Sequence, residues 1–212
     1  MFHQEIYAGV GRLLSLREDA GRYRLLDLGC GNARYLAPCL RQSPPAVYEG
    51  VDLSEAALTE ARGYLADLPG SAVTLTHGDL LEAVESTGKT WDVIFTGFAV
   101  HHLTTADKAR FLQAVGRCLA EKGWLILVDV VREENQSRDD YLDGYLKCMR
   151  DTWIKVPPDQ LEEACTHVHD HDYPEYFSTL QEMAAVAGLQ ARRIVNQYGQ
   201  HQTLLFARSS LP

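Results

Sequence analysis

The chain has 212 residues, enough for one well-filled α/β domain and too few for two of ordinary size. Its 29 acidic residues against 20 lysines and arginines leave a net charge of −9, which argues against a nucleic-acid backbone as substrate, because phosphate binding relies on a basic surface. No apolar run approaches bilayer length, and the first residues lack the basic start and apolar core of a signal peptide. The five cysteines carry no C-x-x-C spacing, so reduced thiols in a cytoplasmic chain are expected.

Short apolar runs alternate with helical periodicity, the pattern of a βαβ protein with a mostly parallel sheet. The first predicted strand, Arg24–Leu28, runs into Gly29-Cys30-Gly31-Asn32-Ala33-Arg34, a glycine turn that admits close approach of a ligand to the backbone. The helix that follows aims its free N–H groups at the same spot. The second strand, Val47–Asp52, ends in a carboxylate about 20 residues beyond the last glycine, the separation at which a nucleoside-binding βαβ unit reaches ribose hydroxyls. A dinucleotide site wants a third glycine where Arg34 stands, and Asp27 before the turn would repel a pyrophosphate. That acid suits a cationic amino-acid ligand instead. Ser54 then caps a helix whose Leu58, Ala61 and Leu65 share one face, and strands are predicted at Ala72–Thr76 and Trp91–Thr96. Thr104 and Asp107 form a capping-box-like pair ahead of a stripe of Leu112, Val115 and Leu119. Trp124–Val130 follows as a strand.

Residues 131–173 break the alternation, being far longer than an ordinary strand–helix connection. Ser137 caps a helix with Tyr141, Leu142, Tyr145, Met149 and Trp153 at helical spacing, and Pro157-Pro158 starts a second, shorter one. Insertions at the carboxyl edge of a parallel sheet are where ligands bind, so a lid or acceptor cover is expected here. Pro174 then sits in the first turn of a helix closed by Gly188, with Phe177, Leu180, Ala184 and Ala187 facing inward. Ala191–Asn196 and Gln202–Ala207 flank a hairpin turn at residues 197–200.

The run Asp27-Leu28-Gly29-Cys30-Gly31 resembles the first motif of class I S-adenosylmethionine-dependent methyltransferases. The likeness continues in order through Asp52, His77-Gly78-Asp79-Leu80, Trp91–Phe95, Thr96–Leu103 and Leu119–Trp124. It implies a Rossmann-like seven-stranded sheet in the order 3-2-1-4-5-7-6, the last strand antiparallel, with helices on both faces. It also implies S-adenosylmethionine as cofactor. Asp27, Gly29 and Gly31 would surround the methionine portion, with Thr96 also on the cofactor side; Asp52 would take the ribose hydroxyls and Leu53 would lie on the adenine. Asp79 and the Leu80 N–H would hold the adenine edge, although Asp after a strand is also a good helix cap. Cys30 reads as a small buried side chain, Cys39 and Cys118 as core.

His101 and His102 follow the strand that borders the cofactor, where a neutral imidazole could take a proton from an incoming nucleophile; a capping or corner-filling role is the alternative. Tyr7, Tyr141, Tyr145 and Tyr173 are expected to face an acceptor. His167, His169, Asp170, His171 and Asp172 read as a solvated loop or pocket rim, so no metal site is expected. The expected partner is a small, partly apolar acceptor, with no nucleic acid, no membrane, and a monomer or homodimer. Other readings are a non-catalytic S-adenosylmethionine-binding protein or partner subunit, an NAD-dependent oxidoreductase, and a methyltransferase-like enzyme using carboxy-S-adenosylmethionine.

Overall fold

The computed structural model describes residues 2–208. Strands β1 (Arg24–Leu28), β2 (Val47–Asp52), β3 (Ala72–His77), β4 (Trp91–Gly97) and β5 (Leu119–Arg132) are mutually parallel where they pair. A two-residue strand, β6 (Glu175–Tyr176), pairs with the end of β5; β7 (Leu189–Tyr198) and β8 (His201–Arg208) complete the set. The order is β3-β2-β1-β4-β5-β8-β7, with β8 antiparallel to both neighbours. This differs from the expected order by one element, the short β6 lying off the main path.

Side-chain alternation along the strands divides the core in two. Leu25, Val93, Phe95, Ile126, Val128 and Leu205 face α1 (His3–Leu14), α2 (Leu36–Gln42) and α3 (Glu55–Leu65). Leu26, Leu28, Ile94, Leu125, Leu127 and Phe206 face α4 (Leu80–Ser86), α5 (Thr105–Cys118) and α8 (Phe177–Val186). Both faces being covered explains why the central strands read as continuous apolar runs. The predicted caps form: Ser54, Thr104 and Ser137 accept from the N–H groups of Ala57, Asp107 and Asp140.

The insertion folds as α6 (Arg138–Thr152) and α7 (Pro158–His171), packed around a third apolar cluster that includes Tyr141, Leu142, Tyr145, Met149 and Cys165. Three local expectations are corrected. The histidine-rich run is not a loop, because α7 continues through His171 and closes with the Asp172 N–H on the Val168 carbonyl. Pro174 lies outside α8, since Glu175–Tyr176 is drawn into extended pairing with Val131 and Arg132. Leu119 opens β5 instead of closing the α5 stripe. Among the described residues no helix is long and apolar enough to cross a membrane.

The chain leaves β1 toward β2 and β3, then resumes on the opposite side of β1 with β4. A crevice therefore opens beyond the carboxyl ends of β1 and β4, the position where open α/β sheets bind ligands.

Candidate active site

Two cavities meet at that crevice. The first is a groove of about 140 Å³ walled by the glycine turn, Asp27, Tyr7, Phe95, Gly97, Phe98 and His3. Gly29 and Gly31 hold φ of +71° and +51°, the left-handed region that costs glycine little. A Cβ on Gly29 would stand 2.5 Å from the Ala99 Cβ, whereas one on Gly31 would meet nothing within 4 Å. The first glycine thus serves packing and the second leaves space. The turn is tied to β2: Gly29 and Cys30 donate to the Val51 carbonyl at 2.9 and 3.0 Å, and Gly31 donates to Asp52 Oδ2 at 2.7 Å. Asp52 Oδ1 accepts from the Ser54 N–H at 2.8 Å.

Asp27 is buried on the groove wall. Its Oδ2 accepts from the Tyr48 hydroxyl at 2.6 Å, and its Oδ1 has no partner. Burial, added to by the Asp52 charge and opposed by the Tyr48 hydrogen bond, pushes the Asp27 carboxyl up to about 7. Tyr7 packs on Tyr35 and Phe95, and burial, with the Asp27 charge, raises its phenol. Thr96 is fully buried and lines neither cavity; strand alternation brings its neighbours Phe95 and Gly97 to the groove in its place. Asp79 acts as the cap of α4, its Oδ1 accepting from Leu81 and Glu82 N–H groups at 2.8 and 3.0 Å. Leu80 packs at the margin of the core, and Leu53 is 66% exposed.

The second cavity, about 620 Å³, lies under the α6–α7 insertion and shares His3 and Phe98 with the first. Phe98 holds φ of +57°, an uncommon conformation for a bulky residue, fixed by its N–H donating to the Val128 carbonyl at 2.8 Å. His101 and His102 sit in the turn Val100–His102 and both line this cavity. His101 is buried, its N–H on Asp129 Oδ2 at 2.9 Å and its Nδ1 paired with Asp129 Oδ1 at 2.5 Å. Burial disfavours the imidazolium, but the charges of Asp129 and Asp172 outweigh it and raise the His101 pKa above 6.5. Burial likewise opposes the Asp129 carboxylate, and the His101 charge overcomes it, lowering that group. His102 is more open, its Nδ1 3.3 Å from both Asp172 Oδ1 and the His171 carbonyl.

Tyr145 lines the cavity with its hydroxyl 3.2 Å from His201 Nε2. Tyr141, one turn away and stacked on Tyr145, is wholly buried and does not reach it. Tyr173 does not line it either: its N–H donates to the His101 carbonyl at 2.7 Å, and its ring lies outside beneath Arg138. His3, Phe98 and Asp129 were not singled out by sequence patterns, and Asp172 was read only as part of the solvated histidine-rich run. Asp129 alone left a sequence signal, a carboxylate inside the apolar run Leu125–Val131.

A family model described as "Methyltransferase domain" matches residues 26–125, from β1 into β5. The match is to a methyltransferase domain over 100 of the chain's 212 residues. No curated protein matches the chain in sequence. Among solved structures, magnesium protoporphyrin IX methyltransferase ChlM from Synechocystis PCC 6803, with bound SAH, is 16% identical at TM-score 0.70 and covers 98% of this chain and 84% of its own. An O-methyltransferase family protein from Burkholderia thailandensis is 18% identical at TM-score 0.70, covering 99% and 59%. Mitomycin 7-O-methyltransferase MmcR is 16% identical at TM-score 0.65, covering 96% of this chain, which spans 54% of its length. At such identities the likeness establishes the fold. The ChlM structure above holds SAH, and a second ChlM structure, 16% identical at TM-score 0.66, holds SAM.

The groove of this chain has two features that would suit such a ligand: an unpartnered Asp27 oxygen to meet a cationic ammonium, and open space over Gly31 for close approach to the backbone.

Proposed function

We propose that the chain methylates a small-molecule acceptor seated in the 620 Å³ cavity. One observation carries the reading: the cavity meets the cofactor groove at His3 and Phe98, with the buried His101–Asp129 pair on the acceptor side. Val130, Met149, Trp153 and Val168 supply an apolar wall, and His101, His102, Gln160 and Glu163 a polar one, which fits a partly apolar acceptor with a hydroxyl or similar nucleophile. Helices α6 and α7 form its cover.

Bound in the groove, S-adenosylmethionine supplies an electrophilic methyl carbon on a sulfonium. Asp27 takes the ammonium, Gly29 and Gly31 let the backbone approach, and Asp52 accepts from the ribose. Leu53, Asp79 and Leu80 form the adenine end. His101 donates its Nδ1 proton to Asp129, which leaves Nε2 to receive the acceptor's proton. Holding nucleophile and methyl in line supplies most of the remaining acceleration.

Calorimetric titration with S-adenosylmethionine, S-adenosylhomocysteine and NAD, followed by mass analysis of methylated phenols and alcohols, tests the reading. Micromolar binding of the two sulfur nucleosides and methylated product are expected; preference for NAD, or nucleoside binding without turnover on any acceptor, overturns it.

The Asp27 carboxyl gives a pH dependence with a definite sign. A carboxyl titrating at about 7 in the free protein is mostly neutral at pH 6, while the cationic ligand needs it ionised. Affinity for S-adenosylmethionine is therefore expected to rise about tenfold from pH 6 to pH 8, with proton release on binding below pH 7. Calorimetry in buffers of different ionisation enthalpy reads both. An affinity flat across that range, or a slope that persists in Asp27→Asn, would show that another group sets it.

A further inference from the structure

The sequence offers no partner for its histidine-rich run, but the fold supplies one. Asp172, at the end of α7, is carried against His101 and His102. Its Oδ1 lies 3.6 Å from His101 Nε2 and 3.3 Å from His102 Nδ1, and the three donor atoms lie within 4.8 Å of one another. We propose that His101, His102 and Asp172 bind one divalent transition-metal ion, best matched by zinc, on the wall of the acceptor cavity. The inference deepens the proposed function, since it rests on that cavity being the acceptor's seat.

The spacing fits such an ion. Nitrogen and oxygen donors stand about 2.0–2.2 Å from zinc, so adjacent corners of a tetrahedron are about 3.3–3.6 Å apart. The two separations from Asp172 Oδ1, 3.6 and 3.3 Å, fall in that range, too long for good hydrogen bonds, and the two ring nitrogens lie within 4.8 Å of each other. Asp172 Oδ1 is itself buried with no hydrogen-bond partner, in a residue only 3% exposed. A native fold seldom leaves a carboxylate oxygen in that condition unless something else occupies it.

The three ligands are held before any ion arrives. Asp172 donates its N–H to the Val168 carbonyl at 3.1 Å, and its carbonyl accepts from Arg138 Nε at 2.8 Å. Tyr173 N–H to the His101 carbonyl, 2.7 Å, fastens this segment to the histidine turn. Asp129 accepts from His101 Nδ1, which sets the tautomer and turns the Nε2 lone pair toward Asp172. A carboxylate behind a ligating histidine is the usual supporting arrangement at metal sites. His102 keeps one competing contact, the His171 carbonyl at 3.3 Å, which the ring would release on ligation.

Charge and donor type agree. Asp129 and Asp172 place two buried carboxylates beside two imidazoles, and the nearby Lys108 ammonium is taken up by the Leu103 and Tyr173 carbonyls and by Glu175. Two imidazoles and one carboxylate suit zinc and its transition-metal neighbours, whereas magnesium and calcium prefer oxygen. Three protein ligands leave a position open, and it faces the cavity. An acceptor hydroxyl bound there would lose its proton to solvent as the metal–oxygen bond forms. That oxygen then bonds the methyl carbon as the carbon–sulfur bond breaks and S-adenosylhomocysteine departs with the electron pair. The ion's oxidation state does not change, and His101 acts in this state as a ligand.

The test titrates the chelator-stripped full-length protein with Co²⁺, then Zn²⁺, alongside Asp172→Asn and His102→Gln. Melting curves and S-adenosylmethionine titrations confirm that each variant is folded. One Co²⁺ per chain is expected, with the visible bands of a four- or five-coordinate site, displaced by one equivalent of Zn²⁺. Each variant should weaken Zn²⁺ at least tenfold while keeping nucleoside affinity. No stoichiometric uptake, or uptake unchanged in both variants, as at the exposed Cys148 thiol, overturns the proposal. If Asp172→Asn unfolds, His102→Gln decides alone, because that ring is 41% exposed. Nucleoside binding is a separate titration, so failure of the methyltransferase reading would register there and not in the metal curve.

Discussion

Replacing Asp52 by alanine is expected to weaken S-adenosylmethionine binding at least about a hundredfold, roughly 3 kcal/mol. The carboxylate does two jobs at once. Each oxygen already accepts a backbone N–H, Gly31 at 2.7 Å and Ser54 at 2.8 Å, and this clamps the glycine turn onto the end of β2. Each also keeps lone-pair capacity for a ribose hydroxyl, a bidentate arrangement that charge strengthens. Alanine removes the acceptor for the ligand and frees the turn to which the ligand binds. Hydrogen bonds to charged groups contribute about 1.5–3 kcal/mol each, so losing two reaches the stated loss even if the turn relaxes partway. Calorimetry on Asp52→Ala, with melting curves to show that the sheet survives, reads the effect. Affinity within threefold of the parent would mean that the ribose is held elsewhere.

Replacing His101 by asparagine is expected to lower kcat by about 10²–10⁴ while leaving S-adenosylmethionine affinity unchanged. Asparagine places a donor near the Nδ1 position, so Asp129, which is only 3% exposed, keeps a partner besides the backbone N–H groups of His101 and Val130. What disappears is Nε2, the atom directed at the cavity and at Asp172. The loss is expected whether that nitrogen takes a proton or holds an ion, because both roles need its lone pair. Full activity in His101→Asn would reduce the pair to an internal strut joining β5 to the turn after β4. A loss of nucleoside affinity together with rate would instead mark collapse of that turn.

The two effects are expected to separate because Asp52 holds the glycine turn of the groove, whereas His101 lines the other cavity. Asp52 belongs to the first βαβ unit, whereas His101, Asp129 and Asp172 gather elements on the far side of β1. His3 and Phe98 stand where the two meet, and their rings are 5.0 Å apart. The groove's 140 Å³ is below the usual size of a ligand site, since His3 also stacks on Tyr35 at 5.0 Å. The start of α1 therefore covers part of the groove.

Sequence by itself determined the sheet, the caps and the glycine turn with its neighbouring carboxylate Asp52. Apolar runs of strand length, helical stripes, Ser54, Thr104 and Ser137 as caps, and the glycine turn followed by Asp52 are all local patterns. Backbone geometry and side-chain period act over a few residues, so they can be read without knowing the fold. Tertiary structure decided the cavity under α6 and α7. His101 meets Asp129 across 28 positions and Asp172 across 71, separations over which no periodicity carries information. The phase of α6 against β5 buries Tyr141 and leaves Tyr145 on the cavity, although the two look equivalent on a helical stripe. The same packing extends α7 through the histidine run and delivers Asp172 to the pair of histidines. A carboxylate in an apolar strand and a histidine after a turn are separately unremarkable. They meet only because the crossing of β5 and the return of α7 bring them within a few ångströms, where burial of His101, Asp129 and Asp172 strengthens the pairing.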